Sequence, residues 1–269
     1  MLPNTTRKGI GYHGGEALLP QSLEVLMNNL PDQDNQRFSE LISEIEQAYI
    51  ALGHNLGWRF LSVPRTTLDT QTDIALITLN PGGDRISPEH PSESCENGVS
   101  YIVETWGTSL PGQNKLQVQV QRLFEALNKR MALANSTHLL MQHSLIGYFV
   151  PFRSPRFADL PKRAESLAFG RELWRKILAT TTPRLIICID RATHKELQLI
   201  IPSTIGVTQH TSRALPTGWG NYTADLTTFA GVRPIHLLRL PHLSTFQLFS
   251  SEKCKGSVSR ILDEACDGL

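Results

Sequence analysis

Apolar positions along this chain recur in two patterns, one helical and one extended. Phe38, Leu41, Ile42, Ile45, Tyr49 and Leu52 fall on one face at helical spacing, and Gly53 and Gly57 suit the end of that helix. Leu116, Val120, Leu123, Phe124 and Leu127 form a second stripe, and Leu167, Leu173, Trp174, Ile177 and Leu178 a third. A shorter helix is predicted over 192–201, and Val258, Ile261, Leu262 and Ala265 predict one near the carboxyl terminus. Between these stripes lie four continuous apolar runs, at 74–79, 139–150, 185–189 and 235–240. Each has the length of a buried strand except the second, which must contain a break. Strands alternating with helices predict a parallel sheet covered on both faces. The expected fold is therefore α/β, a three-layer sandwich with a central four-stranded parallel sheet. Residues 36–269 are expected to form a single domain. Residues 1–35, rich in turn-forming glycine and proline, are expected to form a loose arm.

Composition narrows the picture without deciding it. The chain has 269 residues, 26 basic against 25 acidic, for a formal net charge of +1. A protein that coats nucleic acid without selectivity is usually far more basic, so any DNA contact must come from local patches. Cys95, Cys188, Cys254 and Cys266 lack the close spacing of a zinc or iron–sulfur site, so no metal cluster is expected. Residues 1–10 carry no apolar signal core, and no run reaches membrane-spanning length, which leads to the expectation of a cytoplasmic chain with no membrane partner.

In parallel α/β sheets the working residues gather beyond the carboxyl ends of the strands. The first run ends in Asn80-Pro81-Gly82-Gly83-Asp84. Pro81 stops the strand, the glycines let a ligand approach the backbone, and Asn80 is held at the strand tip. Taken alone, Asn-Pro-Gly is a common turn. The last run is followed by His242-Leu243-Ser244-Thr245-Phe246. A lone histidine there would more often be structural. Asp190, after the third run, reads as a helix N-cap. The polar stretch 84–110 is long enough to read as a functional loop.

Taken together, the strand–Asn80-Pro81-Gly82 and the strand–His242-x-Ser244 resemble the two signature motifs of the uracil-DNA glycosylase superfamily. In its first motif the chain resembles the mismatch-specific and single-strand-selective branches. The resemblance covers roughly residues 73–251. It implies a monofunctional DNA glycosylase, working without a cofactor or metal, that flips a base from the stack and hydrolyses its N-glycosidic bond. It assigns Asn80 to positioning the attacking water and His242 to donating a hydrogen bond to the departing base. Asp84 is an alternative water-activating carboxylate. The resemblance also places an apolar wedge in the loop after His242, with Phe246 first and Leu243 second, and Ser244 near a phosphate.

At the second strand end, Tyr148 stands where uracil-removing relatives carry asparagine. The pocket is then expected to use Pro81, Gly82, Gly83, Tyr148 and Phe149, and to accept a modified pyrimidine rather than plain uracil. The setting would be DNA repair or defence against modified viral DNA. Arg153, Arg156, Lys162 and Arg163 lie beyond this strand against one acid, Asp159, and Lys253 and Lys255 follow the second motif. Of these, Arg153, Arg156 and Lys253 are the expected backbone contacts, and the protein is expected to act as a monomer on DNA. Two other readings compete. One is a relative that binds DNA or a base without cleaving it. The other is a nucleotide-binding α/β protein, which would need a lysine-bearing phosphate loop that Asn80-Pro81-Gly82-Gly83 lacks.

Overall fold

Strands that are buried at every position, as at 74–78, 145–148, 185–188 and 235–239, need cover on both faces, and that requirement shapes the computed structural model, which describes residues 33–68, 70–83, 93–207, 210–231 and 233–269. The expected arm lies outside the described residues up to 32. The first described helix, α1, spans Gln33–Ala51 and buries Phe38, Leu41 and Ile45. Strand β1 (Ile74–Thr78) is buried at every position. Helix α2 (Ser100–Val103) interrupts the long polar stretch, and α3 (Lys115–Met131) and α4 (Thr137–Gln142) follow. Strand β2 (Leu145–Tyr148), helix α5 (Arg163–Leu178), strand β3 (Leu185–Cys188) and helix α6 (Arg191–Ile205) continue the alternation. The break expected inside 139–150 falls between α4 and β2.

Next come β4 (His210–Pro216), β5 (Thr223–Phe229) and β6 (Ile235–Arg239), then the short α7 (Leu243–Phe246) and α8 (Lys255–Ala265). The chain is thus α/β, but the four-stranded parallel sheet expected from sequence is corrected to a mixed sheet of six strands in the order β2-β1-β3-β6-β5-β4. The four expected strands are contiguous and parallel, with Thr78 opposite Tyr148 and Cys188 opposite Arg239. Strands β5 and β4 extend the sheet antiparallel. They escaped the hydrophobic pattern for a physical reason. In β4 only Leu215 is buried, and β5 alternates between half-buried polar residues and Ala224, Leu226 and Phe229. An edge hairpin of this kind needs no continuous apolar run.

Local signals start the helices where the sheet requires them. Asn114 and Gln117 form a capping box at the head of α3, with Gln117 Oε1 accepting from the Asn114 N–H at 3.0 Å. Asp190 caps α6, its Oδ1 accepting from the Thr193 N–H at 2.7 Å. That helix runs on through Pro202 to a left-handed Gly206, a turn beyond its expected end. Helix α5 packs against α6, while α3 contacts α2, α4, α7 and α8.

The outer edge of β2 is closed by residues 58–62 running antiparallel beside it. The Tyr148 N–H donates to Phe60 O at 3.0 Å, and the Ser62 N–H to Ile146 O at 2.8 Å. Two glycines make this corner possible. A Cβ on Gly147 would lie 3.0 Å from Phe60 O, and one on Gly170 of α5 would lie 2.5 Å from Phe149 O.

Gly170→Ala is expected to lower unfolding stability by about 1–3 kcal/mol, because the added methyl meets a backbone oxygen that cannot rotate away. Urea denaturation measures this, and a variant as stable as the parent would show that α5 does not seat on the end of β2 as described.

Candidate functional site

Parallel order brings the carboxyl ends of β2, β1, β3 and β6 to one edge of the sheet, carrying Tyr148, Asn80, Asp190 and His242 respectively. At about 4.8 Å between neighbouring strands, the ends of β1 and β6 stand roughly 10 Å apart. This is the crevice in which the sequence reading placed its chemistry.

Asn80 is held from one side only. Its Nδ2 donates to Ser154 Oγ at 3.0 Å, to Pro81 O at 3.2 Å and to Phe152 O at 3.4 Å. Those acceptors decide which end of the amide points where. The Oδ1 accepts nothing from the described residues, and Asn80 is only half-buried, so a carbonyl oxygen faces the crevice as a free acceptor. Ser154 is itself buried and donates to Arg156 O at 2.9 Å, so its hydroxyl proton is used and its lone pair meets the amide. The sequence pattern gave Ser154 no role. Its signal was its place just past the second strand end, beside the first.

Pro81 is buried, and the two glycines after it are exposed. Gly83 has φ +101°, a conformation that favours glycine, whereas a Cβ on Gly82 would meet open space. Arg153 closes over this turn, donating from Nη1 to Gly82 O at 2.5 Å, and its Nε is buried with no hydrogen-bond partner among the described residues. Burial lowers its pKa, with Tyr148 acting the other way. Arg153 therefore braces the turn. Arg156 is exposed and forms a two-point pair with Asp159 at 2.7 and 2.9 Å, so the acid noted in the sequence answers this arginine's charge.

Tyr148 and Phe149, adjacent in sequence, have different surroundings. The Phe149 ring is fully buried, with two of its carbons 3.0 Å from where a Cβ on Gly170 would stand. That places it in the core behind the sheet edge and leaves Tyr148, 8% exposed, as the aromatic nearer the crevice. Close to Tyr148 lies a buried ion pair that sequence reasoning missed. Arg59 meets Glu104 through two hydrogen bonds, one of 2.8 Å from Nη1 to Oε2. Trp106 Nε1 donates to the same carboxylate at 2.9 Å. Burial opposes the Arg59 charge, but the Glu104 carboxylate, with Tyr148 adding to it, outweighs this and raises the guanidinium pKa. Nearby Tyr101 is fully buried, and its phenol is held well above its ordinary pKa by burial and by Tyr148. The signal for this pair was a charged residue inside each of two apolar stretches, Trp58-Arg59-Phe60-Leu61 and Tyr101-Ile102-Val103-Glu104.

On the far side of the crevice, the Nδ1 of His242 lies 2.9 Å from Ser244 Oγ. When that hydroxyl donates, the ring carries its proton on Nε2 and can donate to a ligand. His242 is accessible as a residue, yet protein crowds the imidazole enough that lost solvation lowers its pKa below 6.5, opposed by the Asp190 carboxylate. The lost solvation favours the neutral ring. Asp190 spends Oδ1 on its cap, while Oδ2 is buried without a hydrogen-bond partner and burial raises its pKa. Ser244 thus orients the imidazole.

Phe246, the expected wedge, is half-buried against Trp219 and Tyr222, with ring centroids 6.2 and 4.4 Å away. Leu243 is fully buried. Lys253 is exposed, with its Nζ 3.7 Å from the Trp219 ring centroid. Asp84 lies outside the described residues. Among the described residues no three His, Cys, Asp or Glu side chains gather as a metal-binding group. No model of a protein family and no curated protein matches the chain.

Asp190→Asn should lower the His242 pKa further, because it removes the negative charge that stabilises the imidazolium, while asparagine still caps α6. An NMR titration of the His242 ring reads this directly. An unchanged or raised pKa would mean that the carboxylate does not act on the histidine.

Proposed function

We propose that this chain is a DNA glycosylase of the uracil-DNA glycosylase kind, built on a three-layer sandwich with its site at the carboxyl edge of the parallel strands. The observation that carries the reading is the Asn80 amide. Its nitrogen is tied to Ser154 and two main-chain carbonyls, so its oxygen is left to accept from a water. Across the sheet edge, at the end of β6, stands an imidazole oriented by Ser244, with lost solvation favouring its neutral form.

The reaction assigned to this pair is a hydrolysis. A nucleotide leaves the stack and its base enters the crevice. The C1′–N bond breaks with its electron pair passing to the base, and the sugar gains cationic character. His242 donates a hydrogen bond to the base as negative charge grows on it, which is stabilisation realised most fully in the transition state. The water held by Asn80 Oδ1 then bonds to C1′, and the proton it releases passes to the base or to solvent. An amide orients water but is a poor base, so bond breaking runs ahead of attack.

Substrate choice follows from Tyr148. Reading uracil takes a donor and an acceptor in one side chain, as an asparagine amide supplies, whereas a tyrosine offers one hydroxyl and a large ring. A substituted pyrimidine held by stacking and backbone contacts fits that pocket better than plain uracil. Removal of such a base serves repair, or defence against DNA whose bases have been modified.

Asn80→Ala and His242→Ala should each reduce base excision by about 10²- to 10³-fold, the usual cost of losing one preorganised group, with the folded spectrum retained. Single-turnover kinetics beside circular dichroism tests this. Two folded variants with unchanged rates would remove both residues from the chemistry.

A further inference from the structure

The turn between β4 and β5 stands on the same edge of the sheet as His242. Strand β5 runs antiparallel to β6 with Asp225 opposite Arg239, so the residues just before β5 lie beyond the carboxyl end of β6. This turn is rigid. Thr217 is fully buried, and its Oγ1 and N–H donate to Tyr222 O at 2.7 and 3.1 Å. The Tyr222 N–H in turn donates to Trp219 O at 3.1 Å. Gly218 has φ +78°, and a Cβ there would come within 2.8 Å of Lys253 O, so the turn is pressed onto the chain that follows α7. Against this support Phe246 packs edge-on to Trp219 and tilted to Tyr222. The Lys253 ammonium covers Trp219 and forms no ion pair among the described residues.

Packing alone does not account for the cluster. A ring placed to fill a core would be buried, yet Tyr222 is 52% exposed although the turn that carries it is fixed by four hydrogen bonds and a glycine contact. Phe246, placed in the sequence as a wedge, is committed to backing that ring. An exposed, preorganised ring beside an unanswered cation is what single-stranded nucleic acid uses, the ring stacking on a base and the cation meeting a phosphate.

We propose that Tyr222, backed by Phe246 and Trp219, stacks an unpaired nucleobase of the strand whose neighbouring base occupies the crevice, and that Lys253 meets the adjoining phosphate. This rests on the DNA reading above and extends it to a preference for single-stranded or locally opened DNA. Affinity of the full chain for a short single-stranded oligodeoxythymidine and for the matching duplex, read by fluorescence anisotropy, needs no excision. Tyr222→Ala should weaken single-strand binding by about 5- to 150-fold, the range for loss of one base-stacking ring, and duplex binding less. Tyr222→Phe should retain it, since the ring and not the hydroxyl does the stacking. Gly218→Ala should weaken it while leaving every ring in place, and Lys253→Ala should flatten the salt dependence by about 0.7 in log–log slope. Unchanged single-strand affinity in Tyr222→Ala, with excision intact in the parent, overturns the platform and leaves the glycosylase reading standing. Equal losses in Tyr222→Phe and Tyr222→Ala overturn stacking. A parent chain that binds neither DNA overturns both.

Discussion

Strands that run the same way must end at the same edge, and the rest of this molecule's chemistry hangs on that constraint. Strands β1, β2, β3 and β6 are buried at every position, so both faces of this part of the sheet are covered, and β2, at its outer edge, is closed by residues 58–62. Once they are parallel, Asn80, Tyr148, Asp190 and His242 stand at one edge of the sheet, although Asn80 and His242 lie 162 positions apart in sequence. The antiparallel hairpin adds to the same edge from outside, because β5 enters beside the end of β6 and brings Trp219 and Tyr222 with it.

What stiffens the edge is a set of polar contacts with little freedom to rearrange. The Arg59–Glu104 pair is buried on both sides, at 3% and 7% side-chain exposure. Removing one partner of such a pair typically costs about 3–5 kcal/mol, because the other charge stays behind, while the intact pair adds little net stability. Its use is therefore positional: it fixes residues 58–62 along β2 and holds a charged, hydrogen-bonded floor near Tyr148. Ser154 does the same for Asn80, and Ser244 for His242. Each residue assigned to the chemistry thus has its orientation set by a neighbour assigned only to position it.

The parts of the fold legible in the sequence are those where burial is complete. Four apolar runs gave four parallel strands, and Val258, Ile261, Leu262 and Ala265 are all buried on α8, the spacing that predicts the helix. Strands β4 and β5 were hidden because an edge strand such as His-Thr-Ser-Arg-Ala-Leu-Pro buries one side chain in seven. The strand ends before Asn80 and His242 were legible because proline, glycine and serine punctuate them. The Ser154 contact was not, since a hydrogen bond across 74 positions leaves no periodic trace. Charge in sequence does not say whether an arginine faces solvent, braces a turn as Arg153 does, or pairs with a neighbour as Arg156 does. Phe246 lies just past β6, and the hairpin that it packs against left no apolar run in the sequence.

The central claim is that this edge breaks an N-glycosidic bond in DNA. It is tested most directly by incubating the purified chain with a panel of single- and double-stranded oligonucleotides carrying uracil, mispaired bases and substituted cytosines, then probing for alkali-labile abasic sites. The account predicts abasic product from at least one substituted pyrimidine in greater yield than from uracil. No abasic product from any member of the panel, with the chain folded, would contradict it.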